Sequence, residues 1–568
     1  MLDLIKEIYS DDGIEIRDNM VISQMRPHTR PVENLPECAS GRVTAEYYFW
    51  ARYFDKIDDE SAKAMVAELK KLQITDKSSD HFGCMRWYRE ETFITDSNGA
   101  FFVLLPMAIA YRLCSHKMTA EEKCDIEELL KNALEWFKKE ISGPIFYSNK
   151  ITSDGAMVAL IASITGEGRN ESETFWKRWI RFADTRGFGW GENTSDGYIM
   201  IMTTALNIAI LTVTDENICA RIRDKRQILL NYMAFHGGKP MVPSIRTYNF
   251  DAIPDYGGAM YKFFVEKQLR TRGGEQISPM MAIIAIESGM DFDKMLAKER
   301  VRCERVFDSS VAYTWKGDGI RLGTVSKFPA MKNCYQRDGW GLGWQTMPAC
   351  ALVEDIHVAF LRMRTKIGEN MHSHPAVDKH SAFLSNRIFE DGNLVTVNTL
   401  SNQQNNLAIV SRSITKLANT AGGIYDEWCI PAGYEKIEKT ESNERIWYVV
   451  TYNKCALAIT NLGGFAHGCK NREKLDVSLG KSGKFDVISA KLYEGEKKLV
   501  FAERLESVWV VAAIENKTEA KEYISKLEIS ENEWRSDFIP ASEFTYLRKI
   551  VCTDGVSKAE FEVNPDES

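Results

Sequence analysis

The sequence predicts an α+β multidomain chain: an (α/α) toroid of paired helices over residues 1–315, followed by an antiparallel β-sandwich over 316–568. Three observations predict it. A polar turn opening onto an apolar run recurs through the first half. Amphipathic charged stretches alternate with those runs. Beyond about residue 320 the pattern changes to short β-branched and aromatic runs separated by Gly, Asn, Asp and Lys.

The recurring turns are Asp96-Ser97-Asn98-Gly99, Thr152-Ser153-Asp154-Gly155, Asn193-Thr194-Ser195-Asp196-Gly197 and Asp255-Tyr256-Gly257-Gly258. Their Asp, Asn, Ser and Thr side chains suit the free N–H groups of a first helical turn. The runs that follow, such as 100–105, 156–161 and 198–202, are apolar nearly all round and so predict buried inner helices. Residues 121–141 and 172–184 predict outer helices with one dry face. Hairpins of this kind stacked in a ring collect their capped ends at one mouth, where the four turns are expected to lie near one another. In the second half, residues 393–398, 446–451, 456–460 and 508–513 predict strands of a sandwich. No low-complexity linker separates the halves, so a tight interface between them is expected.

The totals narrow the function classes. A chain of 568 residues exceeds one ordinary core. Its net charge of −8, without a basic tract, argues against nucleic acid as a partner. An anionic ligand is still compatible with it, because a local pocket can oppose the global sign. No run of 18 apolar residues occurs, so no membrane span is expected. The first residues form a short amphipathic stretch rather than a signal peptide, which predicts a cytoplasmic chain as given, or an exported one if a leader precedes it. The twelve scattered cysteines, mostly in apolar surroundings and without a CxxC, predict reduced thiols.

Several segments carry candidate chemistry. Asn193, beside glycines at a helix start, places an amide where a substrate carboxylate would sit. Residues 246–258 gather Arg246, Tyr248, Asn249 and Tyr256 in one loop before an inner helix. Trp87, Tyr88 and Trp190 precede two of the turns and offer aromatic faces to sugar rings. Residues 368–380 hold three histidines, and His372, His374 and Asp378 have plausible metal-ligand spacing. Arg337, with Tyr335, belongs to an entry segment of the β half.

The order of the two halves, with these segments, resembles the polysaccharide lyases of the chondroitin AC and hyaluronate lyase type and of the heparinase and alginate lyase type. Gly191-Glu192-Asn193-Thr194-Ser195-Asp196 resembles the Gly-x-Asn-Arg-x-Asp turn whose Asn grips the substrate carboxylate. Tyr256-Gly257 resembles the Tyr-Gly that holds the catalytic tyrosine. Phe328-Pro329-Ala330-Met331 with Arg337, and Gly368-Glu369-Asn370, resemble segments that begin the lyase β domain. His372-Ser373-His374 with Asp378 and Ser381 is similar to the His-Gly-His-x-Asp-x-x-Ser segment of heparinase-like enzymes, with two extra residues before the Asp. Those lyases also carry a His shortly before the catalytic Tyr; here Thr247 or Tyr248 stands at that place, and the nearest His is His236.

The resemblance implies β-elimination on an anionic, uronic-acid-containing polysaccharide or oligosaccharide. Asn193, Tyr256, Tyr248, Arg246, His372 and Arg337 would then be catalytic, and Trp87, Tyr88, Trp190, Asn249 and Glu369 would bind substrate. No organic cofactor is required; a structural zinc or calcium on His372, His374 and Asp378 is expected if any metal binds. Two other classes fit the same pattern. A glycoside hydrolase would pair carboxylates from Asp96, Asp154, Asp196 and Asp255. A non-catalytic carbohydrate-binding protein would keep only the aromatic faces.

Overall fold

The computed structural model describes every residue outside 9–12, 25–29, 33, 146–147, 187–192, 246–255, 269–276, 307–309, 329–345, 348, 354–356, 368–369, 373–394, 418–422, 470, 484, 496–504, 536–545 and 564–568. The chain is α+β and multidomain. It divides into a helical unit (Met1–Thr185, Tyr198–Gly238, Tyr256–Lys294) and a β unit (Arg186–Gly197, Lys239–Asp255, Met295–Ser568).

In the helical unit, buried helices alternate with amphipathic ones. Gly99–Cys114, Ser148–Thr165 and the helix running on from Tyr198 to Thr212 are apolar over most of their surface. Ala120–Ser142 is amphipathic and opens on a capping box, in which Thr119 accepts from the Glu122 N–H and Glu122 from the Thr119 N–H. The Arg112 guanidinium ties together the far ends of the three apolar helices. It donates to the Leu211 carbonyl at 2.6 Å and to the Ser163 hydroxyl at 3.4 Å. Their C-terminal ends therefore converge, the three run parallel, and Gly99, Ser148 and Tyr198 mark the opposite end. Gly99–Lys117 is long and apolar enough to cross a membrane, but two thirds of it is buried, as suits a core helix.

Two expectations are corrected here. Residues 1–310 are not wholly helical: Ile16–Arg17, Met20–Ser23 and Cys38–Ala39 form a small antiparallel sheet. Thr152–Gly155 is not a turn, because the helix already begins at Ser148 and runs straight through it. Thr152 and Asp154 find their partners inside the helix and on its neighbour. The Thr152 hydroxyl donates to the Ser148 carbonyl, and the Trp179 indole N–H donates to Thr152 at 2.9 Å. Asp154 pairs with Lys150 at 2.7 Å. Gly155 serves close packing: a Cβ there would lie 1.9 Å from the Phe175 ring. Gly99 and Asp196 do open helices as expected; Asp255 lies outside the described residues.

A buried ion pair joins the Gly41–Tyr53 helix to the Ala120–Ser142 helix. Arg52 donates to Glu122 at 2.7 and 3.1 Å, the Tyr48 hydroxyl donates to it at 3.0 Å, and Glu122 has no exposed surface. Glu122→Ala leaves the guanidinium buried without its main counter-charge. We expect a loss of about 3–5 kcal/mol in the helical unit, read from urea unfolding followed by tryptophan fluorescence.

The β unit is layered. A nine-stranded antiparallel sheet includes Val301–Val306, Ser310–Lys316, Ile320–Val325, Ala349–Val353, His357–Ile367, Gly423–Pro431 and Phe485–Glu494. It faces a seven-stranded sheet built on Val395–Gln404, Leu407–Leu417, Arg445–Thr451, Ala456–Phe465 and Leu505–Ile514. Leu322, Ala351, Leu361 and Trp428 from the first pack against Val410, Val450, Ile459 and Trp509 from the second. A polar pin crosses this core: Asp426 meets Arg412 at 3.3 Å and accepts from the Trp509 indole at 2.8 Å. Burial pushes its carboxyl up to about 6. Behind the seven-stranded sheet, Val508 and Val510 pack on Ile524 of a short helix and on Ile550 of a three-stranded C-terminal sheet.

The first strand of the nine-stranded sheet starts at Val301, ahead of the expected boundary at 315/316. Val-Arg-Cys-Glu-Arg-Val is an edge strand with alternating exposure, and its charges conceal the strand pattern.

Candidate functional site

The polar turn Asn193–Asp196 belongs to the β unit. All four residues are buried, with Asn193 2% and Ser195 0% exposed. Such burial of a polar turn is tolerated only where its groups find partners. The Asp196 carboxylate accepts from the Met241 N–H at 3.0 Å, and the Ser244 hydroxyl donates to the Thr194 carbonyl at 3.4 Å. The segment 241–245 is in turn fixed to the large sheet. The Thr314 hydroxyl donates to the Val242 carbonyl, and Ser244–Ile245 pairs with Thr346–Met347. Gly323 allows the approach, since a Cβ there would lie 2.4 Å from the Pro243 nitrogen. Val242 completes an apolar cluster with Met347, Cys350, Leu352 and Phe360. Burial in this cluster pushes the Cys350 thiol well above its ordinary range, with the Asp196 charge adding to the shift. The turn carrying Asn193 is thus bolted to a sheet. Sequence reasoning missed Met241 and Ser244, which carry no periodic or motif signal.

Other candidates fall elsewhere. Tyr256 is the first residue of the helix Tyr256–Tyr261 in the helical unit. His372 ends the strand Asn370–His372, opposite Thr365 of the His357–Ile367 strand. Arg246, Tyr248, Asn249, Trp190, Arg337, Glu369, His374 and Asp378 lie outside the described residues. Among the described residues no group of three or more His, Cys, Asp or Glu is arranged to hold a metal ion.

Trp87 and Tyr88 lie in the helical unit. Trp87 is 5% exposed, stacks on Phe102 with ring centroids 5.3 Å apart, and donates its indole N–H to the Asp96 carbonyl at 3.0 Å. Both its face and its polar edge are therefore taken by the fold, contrary to the expectation that it stacks on substrate. Tyr88 is half-buried, and burial pushes its phenol up to about 12. The described cysteines are all free.

No protein-family model matches the chain, and no curated protein matches it. Among solved structures it is similar to a heparinase III, at 8% identity and a TM-score of 0.44, over 92% of this chain and 82% of that one. It is similar to a chondroitin AC lyase from Streptomyces coelicolor A3, at 8% identity and a TM-score of 0.47, over 92% and 84%. A xanthan lyase from Paenibacillus gives 8% identity and a TM-score of 0.38, over 92% and 70%. Each is a distant likeness in fold.

Proposed function

We propose that the chain is a polysaccharide lyase that cleaves a uronic-acid-containing polysaccharide or oligosaccharide by β-elimination. The observation that carries the reading is the buried Asn193 turn at the start of the Asp196–Thr212 helix, braced by Met241 and Ser244.

Elimination breaks the C5–H bond of the uronate, forms a C4–C5 double bond and expels the 4-oxygen. The C5 proton is weakly acidic until the neighbouring carboxylate is neutralised. A fixed amide dipole does that without reorganising, and we assign the role to Asn193, with Arg246 or Arg337 as a bidentate partner. Tyr256 takes the C5 proton or delivers one to the leaving oxygen; Tyr248 or His372 supplies the other transfer. Tyr88, Trp190, Asn249 and Glu369 are assigned to substrate binding.

The hydrolase alternative loses support. Asp154 is locked to Lys150 within a helix, and Asp196 is engaged by the Met241 N–H. Two of the four carboxylates it would draw on are thus committed to structure.

The test is incubation with uronate polymers. Growth of the unsaturated-uronate absorbance is expected; new reducing ends without that absorbance would make the chain a hydrolase, and binding alone a non-catalytic module. For the metal assigned to His372, His374 and Asp378, we expect about one zinc or calcium per chain by elemental analysis, in a structural role. Metal-free protein with full activity and an unchanged melting temperature would remove it.

A further inference from the structure

Phe93 is 58% exposed, the one Phe, Tyr or Trp that stands exposed among the residues whose side chains are described. It sits at the tip of a loop running from Trp87 to Asp96, flanked by the exposed Thr92 and Thr95. That loop is held shut from inside. The Glu91 side chain, 1% exposed, accepts from the Trp87 N–H at 2.8 Å. Arg86 donates to the Glu91 carbonyl at 3.1 Å, and the Trp87 indole closes the far side on the Asp96 carbonyl. Asp96 then accepts from the Asn98 N–H at 3.0 Å and leads into the Gly99–Cys114 helix.

A buried carboxylate, an indole and a guanidinium thus hold a short loop whose tip offers one aromatic face to solvent. An exposed Phe gains nothing for the fold, and a tip this firmly held gives up little freedom on binding. The loop also stands at the N-terminal end of the parallel apolar helices, the end marked by Gly99, Ser148 and Tyr198.

We propose that Phe93 is a stacking platform for a sugar ring of the bound polysaccharide, with Thr92 and Thr95 beside it to hydrogen-bond ring hydroxyls. The ligand class rests on the lyase reading. The platform reads the C–H face of a ring rather than its charge, so it adds affinity along the polymer and leaves the chemical step alone.

The experiment compares wild type, Phe93→Ala and Phe93→Tyr on alginate, hyaluronan, chondroitin and heparan sulfate, by calorimetric binding and by elimination kinetics. Phe93→Ala should raise Kd and KM for the best polymer roughly 3- to 10-fold, the size of one aromatic contact, with kcat held and Phe93→Tyr restoring affinity. Unchanged Kd and KM in Phe93→Ala, or wild type that binds none of the four, would overturn the platform. Binding that weakens in Phe93→Ala without any unsaturated product from wild type would sink the lyase reading and keep the platform.

Discussion

Tyr256→Phe should lower the turnover of a uronate polymer by roughly 10²–10⁴-fold, the usual cost of losing a general acid or base. The substitution removes one hydroxyl and keeps the ring. Tyr256 opens the helix Tyr256–Tyr261, where Phe meets the same backbone demands. Circular dichroism and melting temperature should therefore match wild type while kcat falls and KM changes little. A phenol titrates near 10, so it holds its proton at neutral pH until a neighbouring charge or the reacting carbon draws on it. Tyr248→Phe is the control, because Tyr248 stands close to where the lyases of this resemblance keep a His. Loss of activity in Tyr248→Phe alone would move the proton transfer to Tyr248 and keep the elimination mechanism. Full activity in both variants would remove this loop and helix start from the chemistry.

The sequence was most legible where periodicity was strong and the environment uniform. The strand runs at 446–451, 456–460 and 508–513 lie within Arg445–Thr451, Ala456–Phe465 and Leu505–Ile514. They read as continuous apolar runs because each strand is buried on both faces, one in the sandwich core and the other against the short helix and the C-terminal sheet. The amphipathic outer helix at 121–141 was equally plain and lies within Ala120–Ser142. Thr152–Gly155 misled for a physical reason. Ser, Thr and Asp favour caps because they compete for backbone bonds, yet inside a packed helix Thr152 can bond back to Ser148 and Asp154 can reach Lys150. Composition does not separate the two uses. The bracing of the Asn193 turn was invisible for another reason: Asp196 and Met241 are 45 positions apart, and a side chain meeting a backbone N–H leaves no pattern in either segment. Phe93 escaped notice because a Phe-Ile pair between two Thr residues reads as core until its exposure is known.

Asn193→Ala should cost about 10²–10³-fold in kcat/KM, the loss seen when one preorganised oxyanion donor is removed. The residue is 2% exposed, so part of any effect could come from the fold. Removing a cap or a buried polar group costs roughly 1–3 kcal/mol, which a thermal melt reports directly. The chemical role is separated by a second substrate. A polymer whose uronate carboxylates are methyl-esterified starts neutral beside C5, so its C5 proton is already more acidic and its loss leaves one negative charge where the free acid would carry two. If Asn193 neutralises the carboxylate, its deletion should cost the esterified substrate less than about tenfold while costing the free acid the full 10²–10³. An equal loss on both substrates, with an unchanged melt, would mean that Asn193 holds some other part of the sugar. An equal loss with a lowered melt would make it a residue of the turn alone, one more polar group that the Met241–Ser244 segment keeps in place.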